Sequence, residues 1–411
     1  MKVWLKLLIG SILGFAIGFL LPYESQRIVS VMQWLEKLAL GIGRYAVVPV
    51  LVFSLTIAVY ELHQEDQFWR LVLRNILLIA AASVFVIASG IVTTLFFSPG
   101  RIPIERVEQL EAISLDAGKN IIDAFPPNMF SVLVGEGNYL FPICVFAFFL
   151  GMSLNYDRNY SKPVISMVDS LSRVFYHIAS FFSEILGFIL IVLSAYWAVR
   201  FHAVRQARVF HDLIIMLGCF SIVLCFGVLP LFLYFLRPRV NPWRTLYGFL
   251  GPALAAFFSG DINFSLPVLM RHLKENFGVR RRSSAVSLSL CNAFCRGGSA
   301  MVAAAAFIVI IKSYSYLPIA LPDVFLIGLQ ALLISFALAR HPGDGAYIAV
   351  AALCMNYGGG EYSAGYLILK PLVFYLVAVG TFIDVMLSAF VSFVAAKTTG
   401  HIEEKNIVHF I

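Results

Sequence analysis

Residues 324–358 read VFLIGLQALLISFALARHPGDGAYIAVAALCMNYG, and this stretch decides the fold. Two apolar runs, Val324–Ala339 and Ala346–Gly358, flank the polar centre Arg340–Gly345. Each run is shorter than the roughly 20 apolar residues that a membrane-spanning helix needs. Non-helical backbone at membrane depth is tolerated only where it is buried in protein or lines a cavity. The stretch therefore predicts a re-entrant helical hairpin whose tip carries a function.

The same pattern of short, interrupted apolar runs occurs earlier in the chain. The apolar run Tyr247–Gly260 stops at Asp261, and a second short run leads to a basic cluster at 271–282. Ser283–Ile311 is long enough to span a membrane, but Arg296-Gly297-Gly298-Ser299 lies at its middle. Leu367–Ala396 follows and contains Asp384. Two hairpins, each followed by a full span, predict an inverted repeat with a binding site near the membrane midplane.

Residues 1–240 have a plainer pattern of long apolar runs bounded by charges or turn residues. With the two later spans they predict an all-α polytopic membrane protein with eight transmembrane helices and two re-entrant hairpins. The earlier spans are predicted at Leu5–Leu21, Leu38–Tyr60, Ile76–Pro99, Gly137–Tyr156, Val174–Val199 and Leu213–Leu236.

The composition agrees with a membrane protein. Of 411 residues, 60% are hydrophobic and 13% are charged, whereas soluble domains carry about 25% charged residues. This excludes a cytosolic enzyme, a disordered chain and a secreted disulfide scaffold, and the sequence has none of the common enzyme motifs. The six cysteines lie in apolar segments without the spacing of a metal site, so we expect no metal centre and no organic cofactor.

The net charge of +7 comes from basic residues that flank the apolar runs. Such a distribution sets membrane orientation and does not indicate nucleic-acid binding. The basic residues favour a cell (inner) membrane protein with both termini in the cytoplasm, residues 398–411 forming the tail.

The order of the motifs resembles one known family, the dicarboxylate/amino acid:cation symporters, which are the glutamate-transporter homologues. The resemblance is carried by AVVPVLVFSLTIAV (46–59), IASGIVTTLFFSPG (87–100), the segment 121–154, FFSGDINFSLPVLMRHLKENFGV (257–279), HPGDGAYIAVAAL (341–353) and AKTTG (396–400).

The resemblance implies a homotrimer in the lipid bilayer and different roles for the two parts of the chain. Residues 1–240 would form the scaffold and the trimer contacts, with the third helix (76–99) joining the transport core. Residues 241–397 would form that core and hold a small-molecule substrate between the two hairpin tips during an elevator movement. The family transports acidic or neutral amino acids or dicarboxylates, with sodium or protons as the coupling ion.

The sequence departs from the family at its functional positions. The Arg-Ser-Ser-Ser tip of the family's first hairpin is replaced by Gly260, Asp261, Ile262 and Asn263. The unwound Asn-Met-Asp-Gly-Thr segment becomes 295–299, which loses both side-chain sodium ligands. The last helix lacks the substrate-binding Arg, whose position is taken by Gly380, and it retains only Thr381 of that motif.

The gate backbone of the second hairpin survives. Its Pro-Gly-x-Gly pattern is retained as Pro342, Gly343 and Gly345, but His341 and Asp344 make this tip ionic. A proton-linked gate at His341 and a solvated tip histidine are both open interpretations. Asp344 and Asp261 could each bind the amino group of a substrate; alternatively they are solvated, or pair with Arg340.

Arg296 and Asp384 have two interpretations each. Arg296 is either an anchor for a substrate carboxylate or the structural partner of Asp384, in which case the pair would substitute for a sodium ion. Asp384 is either a proton-carrying coupling residue or that permanent partner. Substrate-binding candidates are Arg296, Asp261, Asn263, Ser299, Asp344, Thr381 and Asp384; coupling candidates are Asp384 and His341.

The sequence thus predicts a secondary active transporter of a small organic anion or amino acid, coupled to protons or uncoupled because the sodium sites are eroded. The alternative is a non-transporting binding or regulatory membrane protein on the same fold. A chain released from transport would lose costly charges at membrane depth. This chain has gained Asp261, Arg296, Asp344 and Asp384 relative to the family pattern, which favours a working site.

Overall fold

A computed structural model of the chain describes residues 2–22, 25–103, 115, 117–135, 137–156, 158–205, 209–236, 241–315, 319–358 and 362–403. Within these ranges the chain forms helices and no β-strand. The α-helices, in chain order, are α1 (Val3–Leu20), α2 (Gln26–Arg44), α3 (Val47–Gln64), α4 (Phe68–Phe97), α5 (Ala117–Asp123), α6 (Phe141–Ser153), α7 (Arg158–Arg205), α8 (His211–Val223), α9 (Leu229–Leu236), α10 (Pro242–Ser259), α11 (Ile262–Glu275), α12 (Arg281–Phe294), α13 (Gly297–Tyr314), α14 (Leu321–Ala337), α15 (Gly345–Asn356) and α16 (Val373–Thr398). Tighter 3₁₀ turns span Met129–Leu133, Leu338–Arg340 and Gly365–Leu372, and a π turn at Leu224–Val228 joins α8 to α9.

Eight helical segments of the described chain are long and apolar enough to cross a membrane. They are Val3–Leu20, Gln26–Gln64, Phe68–Phe97, Tyr160–His202, His211–Phe235, Arg281–Tyr314, Leu321–Arg340 and Gly365–Thr398. The all-helical class is therefore confirmed, and the number of candidate spans equals the predicted eight.

One predicted span is wrong. The expected helix at Gly137–Tyr156 is only Phe141–Ser153, because Gly137 has a positive φ of 69° and Pro142 can occupy only the first turn of a helix. Its place among the eight is taken by Leu321–Arg340. The sequence predicts this segment as a half-length hairpin arm. The 3₁₀ turn at Leu338–Arg340 continues α14 and lengthens the helical segment.

Two pairs of helices meet at short polar turns, as the interrupted apolar runs predict. The first tip, Ser259–Asn263, joins α10 to α11, and Gly260 reverses the chain there with a φ of 62°. These two helices run antiparallel, since Asn276 near the end of α11 donates a hydrogen bond to the Gly248 carbonyl near the start of α10 at 3.2 Å. The second tip, His341–Gly345, separates α14 from α15.

The helices α13 and α16 form the centre of the molecule. Every residue from Gly297 to Ile311 and from Phe374 to Ala396 is buried. α4, α12 and α15 pack around them. Gly297 allows a close backbone approach, because a Cβ atom at this position would lie 2.8 Å from Ser83 Cα of α4. The break between α12 and α13 is thus enclosed by protein.

The end of α16 is tied to the base of the first helix pair. The Arg280 N–H donates to the His401 carbonyl at 3.0 Å, and the Glu403 N–H donates to the Gly278 carbonyl at 2.9 Å. An antiparallel bridge between Val279 and Ile402 completes this contact. Residues 398–403 therefore pack against the core; the rest of the predicted tail lies outside the described residues.

A glycine stripe joins α1 to α7. Gly10, Gly14 and Gly18 lie four residues apart, so they share one face of α1. Each approaches a carbonyl oxygen of α7 so closely that an added Cβ atom would lie between 2.1 and 2.3 Å from it. Membrane helices associate through such small-residue faces because backbones can then approach closely.

We expect Gly14→Ala to separate α1 from α7. The new methyl group would lie 2.1 Å from the Ile191 carbonyl oxygen, and overpacking of this kind costs about 1–3 kcal/mol. The matched control is Gly41→Ala in α2, since a Cβ atom there meets nothing within 4 Å. Thermal unfolding of the purified protein in detergent measures the difference. Equal melting temperatures of the two variants would contradict the close contact.

Candidate functional site

The break between α12 and α13 exposes the N–H groups of the first turn of α13, and Asp384 of α16 accepts hydrogen bonds from them. Its Oδ1 accepts from the Gly298 N–H at 2.7 Å and from the Ser299 N–H at 3.1 Å. Its Oδ2 accepts from the Ser299 hydroxyl at 2.6 Å. The carboxylate is fully buried. A helix N-terminus favours a negative charge through its unpaired N–H groups and its dipole, so Asp384 caps α13.

Arg296 immediately precedes α13 and reaches in another direction. Its Nη2 donates to the His341 carbonyl at 2.6 Å and to the Leu338 carbonyl at 3.4 Å. The Leu338 carbonyl begins the 3₁₀ turn and also accepts the His341 N–H at 2.9 Å, whereas the His341 carbonyl directly follows the turn. The last carbonyls of a helix lack intrahelical donors and attract cations. The guanidinium is 1% exposed, so it holds this tip from inside the protein.

Arg296 and Asp384 are in contact across the break. Arg296 Nη1 lies 3.9 Å from Asp384 Oδ2. This distance is longer than the hydrogen bonds that each side chain makes elsewhere. Arg296 Nε and Nη1 have no hydrogen-bond acceptor among the described groups. The pair therefore forms one buried polar centre that joins α13, α16 and the second tip, and the guanidinium retains donors for a further acceptor.

A second polar centre lies at the first tip. Asp261 caps α11, because its Oδ1 accepts from the Phe264 N–H at 3.0 Å. Its Oδ2 forms an ion pair with Arg44, the last residue of α2. Arg44 also donates to the Asn138 side-chain carbonyl at 2.6 Å. Asp261 is 1% exposed, so it is not the solvated tip residue that one of the sequence interpretations describes.

Asn263 makes three hydrogen bonds within the protein. Its Nδ2 donates to the carbonyls of Gly137 and Asn138 at 3.2 and 3.1 Å. Its Oδ1 accepts from Asn292 of α12 at 2.8 Å. The side chain therefore links the first tip to the segment before α6 and to the broken helix.

The two tips touch each other. The Ile262 N–H of the first tip donates to the Pro342 carbonyl of the second tip at 3.2 Å. Gly343 lies beside the ion pair, where an added Cβ atom would be 3.4 Å from Asp261 Oδ2 and 3.6 Å from the Arg44 guanidinium. The tips are thus closed on one another, and the Arg44–Asp261 pair lies at their junction.

A cavity of about 1000 Å³ lies in front of the closed tips. Arg44, Asp261 and the residues of the second tip from His341 to Asp344 line one side of it, and residues within 122–135 and 137–143 line the other. Asp344 is half-exposed to this cavity, and its carboxylate lies 3.4 Å from His341 Nδ1. The cavity is large enough to admit a small organic molecule.

Arg340 does not pair with Asp344, although the sequence allowed that pairing. Its guanidinium donates to Asp123 of α5 at 2.5 Å and lies over the Tyr139 ring. The Arg340 side chain therefore points toward α5.

The last helix supplies polar groups that are bonded within the protein. The Thr381 hydroxyl donates to the Val377 carbonyl at 2.8 Å and lies 3.1 Å from the Ala256 carbonyl of α10. The Ser388 hydroxyl donates to the backbone carbonyl of Asp384 at 2.8 Å. Gly380 packs against the broken helix, because an added Cβ atom would lie 3.1 Å from Ser299 Cα. The side of α16 that faces the break is thus closely packed.

The structure brings the predicted residues into two groups. Arg296, Ser299 and Asp384 meet at the helix break, whereas Asp261 and the second tip line the cavity and Asn263 is buried at the first tip. Sequence analysis missed Arg44 and Asn138, which join the second group to the first half of the chain. A signal existed for Arg44, since it is a charge inside the apolar run predicted as the second span.

A helical membrane protein with eight candidate spans, a broken helix and two polar tips closed over a cavity belongs to the class of membrane transport proteins. The chain matches the model of the sodium:dicarboxylate symporter family over residues 3–398. It belongs to that family, as its motifs predict.

Individual relatives are distant. The chain is 26% identical to the serine/threonine transporter SstT of Enterococcus faecalis over 72% of this chain and 68% of the relative. It is 27% identical to the proton/sodium-glutamate symport protein of Bacillus subtilis over 44% of each chain. A stretch of 57 residues is 42% identical to the human neutral amino acid transporter B(0), covering 14% of this chain and 10% of the relative.

We expect Arg44→Met to destabilise the protein by about 3 kcal/mol, because it leaves the Asp261 carboxylate buried without its cation. Adding Asp261→Asn to this variant removes the unpaired charge and should recover most of the loss. The free energy of unfolding in a denaturant series measures both changes.

The control for these two variants is Arg340→Met. Its pair with Asp123 is 39% and 33% exposed, and such pairs contribute about 0–1 kcal/mol. If Arg44→Met and Arg340→Met have equal effects, the first tip does not depend on its ion pair.

Proposed function

We propose that this protein is a secondary active transporter of a small amino acid or organic anion. Residues 1–240 form a scaffold that trimerises, apart from the third predicted helix (76–99), which joins the core. Residues 241–397 form a core that moves across the membrane in an elevator-like manner. Membership of a symporter family supports transport, and the antiparallel pair α10–α11 supports a re-entrant hairpin. Both termini are cytoplasmic in this proposal, in keeping with the basic flanks of the spans.

The observation that carries the proposal is the buried centre formed by Arg296 and Asp384. Charged groups inside membrane segments are costly and mark binding sites or ion pathways. Here two opposite charges are enclosed at a helix break, in contact with the second tip. A protein that served only as an anchor would gain nothing from this arrangement, whereas a transporter uses it to couple the tip to the core.

In this proposal the tip closes on a fixed cation. The guanidinium of Arg296 satisfies the carbonyls of Leu338 and His341, and a bound metal cation would satisfy the same oxygen atoms. Because the guanidinium is covalently attached and permanently charged, closure of the second tip does not require sodium. Because the guanidinium takes the place of a bound sodium ion in this proposal, transport is coupled to protons or is uncoupled.

The substrate enters between the two tips from the cavity in front of them. Asp344 presents a half-exposed carboxylate to that cavity, and a substrate amino group would pair with it; Asp261 lines the same cavity but is already paired with Arg44. Nε and Nη1 of Arg296 make no hydrogen bond, and such donors suit a carboxylate. An amino acid carries both complementary groups, in keeping with the names of the relatives, which refer to amino acids.

A non-transporting binding protein on the same fold is the second candidate. The observation in its favour is the closure of the tips, in which the Ile262 N–H contacts the Pro342 carbonyl and Arg44 ties the first tip to α2. Under this alternative, ligand binding and uptake would separate: purified protein would bind ligand, and proteoliposomes would not accumulate it.

We expect amino acids to stabilise the purified protein against thermal unfolding equally well in sodium and in choline buffer. A ligand that binds the folded state stabilises it by about 2.7 kcal/mol at a concentration of 100 times its Kd. A panel of neutral, acidic and basic amino acids and dicarboxylates identifies the substrate class. Stabilisation that requires sodium would overturn the fixed-cation proposal. In Arg296→Ala the effect should be lost in choline and partly restored by sodium or guanidinium.

We expect Asp384→Asn to reduce uptake into proteoliposomes by at least about tenfold. The amide has one carbonyl oxygen in place of two carboxylate oxygens, and hydrogen bonds to charged groups contribute about 1.5–3 kcal/mol each. The matched control on the same helix is Ser388→Ala, because the Ser388 hydroxyl donates to the backbone carbonyl of Asp384 and not to its carboxylate. Normal folding together with unchanged uptake in Asp384→Asn would show that the carboxylate is dispensable.

A further inference from the structure

A second cavity, of about 310 Å³, lies far from the tips between α7 and the basic cluster 271–282. Five side chains line it: Arg173, Tyr176 and His177 from α7, Lys274 from α11 and Arg281 from α12. Three of the five are cations at neutral pH. The tips, the helix break and the substrate cavity use none of these residues.

Carboxylates surround the cations of this basic pocket. Arg173 and Arg281 share the carboxylate of Asp169, at 2.9 and 2.7 Å. Lys274 Nζ lies 3.9 Å from Glu275 Oε1. Glu61 adds a negative charge that acts on both Arg173 and Arg281, so the three cations have three carboxylates nearby. Two of the cations are guanidinium groups, which bind phosphate oxygens in a bidentate manner.

The walls of the pocket suit a polar ligand. Lys274 Nζ lies 4.0 Å above the ring of Tyr176, which fixes the ammonium group in place. The Tyr176 hydroxyl donates to Glu275 Oε1 at 3.2 Å. His177 is exposed on the same side. The pocket therefore gathers fixed cations and a polar aromatic side chain around an open space, an arrangement that suits a small phosphate-bearing anion.

The position of the pocket along α7 indicates which anion this is. Arg173 directly precedes the apolar run Val174–Val199, so the pocket lies where this helix enters the membrane. Below it, Val174, Phe181 and Phe188 are 52%, 64% and 73% exposed. They are spaced by seven residues and hence form one apolar stripe along the helix. A lipid with its phosphate in the pocket would lay an acyl chain along this stripe.

We infer that the basic pocket binds the phosphate of an anionic phospholipid. Basic pockets between membrane helices on the cytoplasmic side recognise such headgroups, and the pocket lies beside the basic flanks that face the cytoplasm in the proposed orientation. The headgroup bridges α7, a helix of the first half of the chain, to α11 and α12 of the second half. The inference does not depend on which substrate the protein transports.

The test uses the full chain in nanodiscs of phosphatidylcholine with and without phosphatidylglycerol. Native mass spectrometry counts the lipids retained by the wild type and by Arg173→Gln/Lys274→Gln. We expect the wild type to retain phosphatidylglycerol and the double variant to bind it about thirtyfold more weakly, from the loss of two cations at the membrane surface. The matched control, Arg27→Gln/Lys162→Gln, removes two exposed charges outside the pocket and should bind like the wild type.

Three outcomes would overturn the inference. They are equal retention of phosphatidylcholine and phosphatidylglycerol by the wild type, equal losses in the two double variants, and displacement of the bound lipid by millimolar inorganic phosphate, which would assign the pocket to a soluble phosphate. Thermal unfolding in phosphatidylcholine alone checks the fold of the variant. If the double variant unfolds, Arg173→Gln serves in its place, because that side chain is 68% exposed.

Discussion

The contact on which the rest of the site depends is the one between the Arg296 guanidinium and the Leu338 and His341 carbonyls at the 3₁₀ turn before the second tip. A permanent charge that is 1% exposed is tolerable only with opposite charge and hydrogen-bond acceptors around it. A broken helix supplies both kinds of partner. Its free N–H groups bind the carboxylate of Asp384, and the His341 carbonyl at the end of a second broken element binds the guanidinium. The helix breaks therefore explain how the charges of Arg296 and Asp384 are tolerated inside the protein.

The first tip follows the same principle. Asp261 caps the first turn of α11 and thereby brings a charge into the protein interior, which requires Arg44 from α2. The buried ionic side chains of this protein thus bond mainly to helix ends, and ligand binding is at most their additional role. This explains how a protein with 13% charged residues concentrates several of them at its centre. It also distinguishes Asp344, which makes no helix-capping hydrogen bond within the described residues and is half-exposed to the cavity.

The breaks could be predicted from the sequence because their causes are local. Proline, glycine and charges interrupt the apolar runs at 260–263, 295–299 and 340–345, and each interruption ends a helix in the structure. The partners could not be predicted in the same way. Arg44 and Asp261 are 217 positions apart, and no local pattern joins them. The helix at Phe141–Ser153 was overestimated for a related reason: an apolar run gives the maximum length of a helix, whereas Gly137 and Pro142 set its start.

A covalently attached cation changes what can control the second tip. An exchangeable ion leaves when the tip opens, so its concentration on each side of a membrane biases the opening. Arg296 cannot leave, and its contact with the His341 carbonyl opposes opening equally from either side. Any bias must then come from groups whose contacts differ between the open and closed states. In the proposed transporter Asp344 and His341 qualify, because they lie at the tip that would open and face the cavity, whereas Asp384 is held by three hydrogen bonds at the helix break. Control of the tip should therefore reside in the substrate and in the contact between His341 and Asp344.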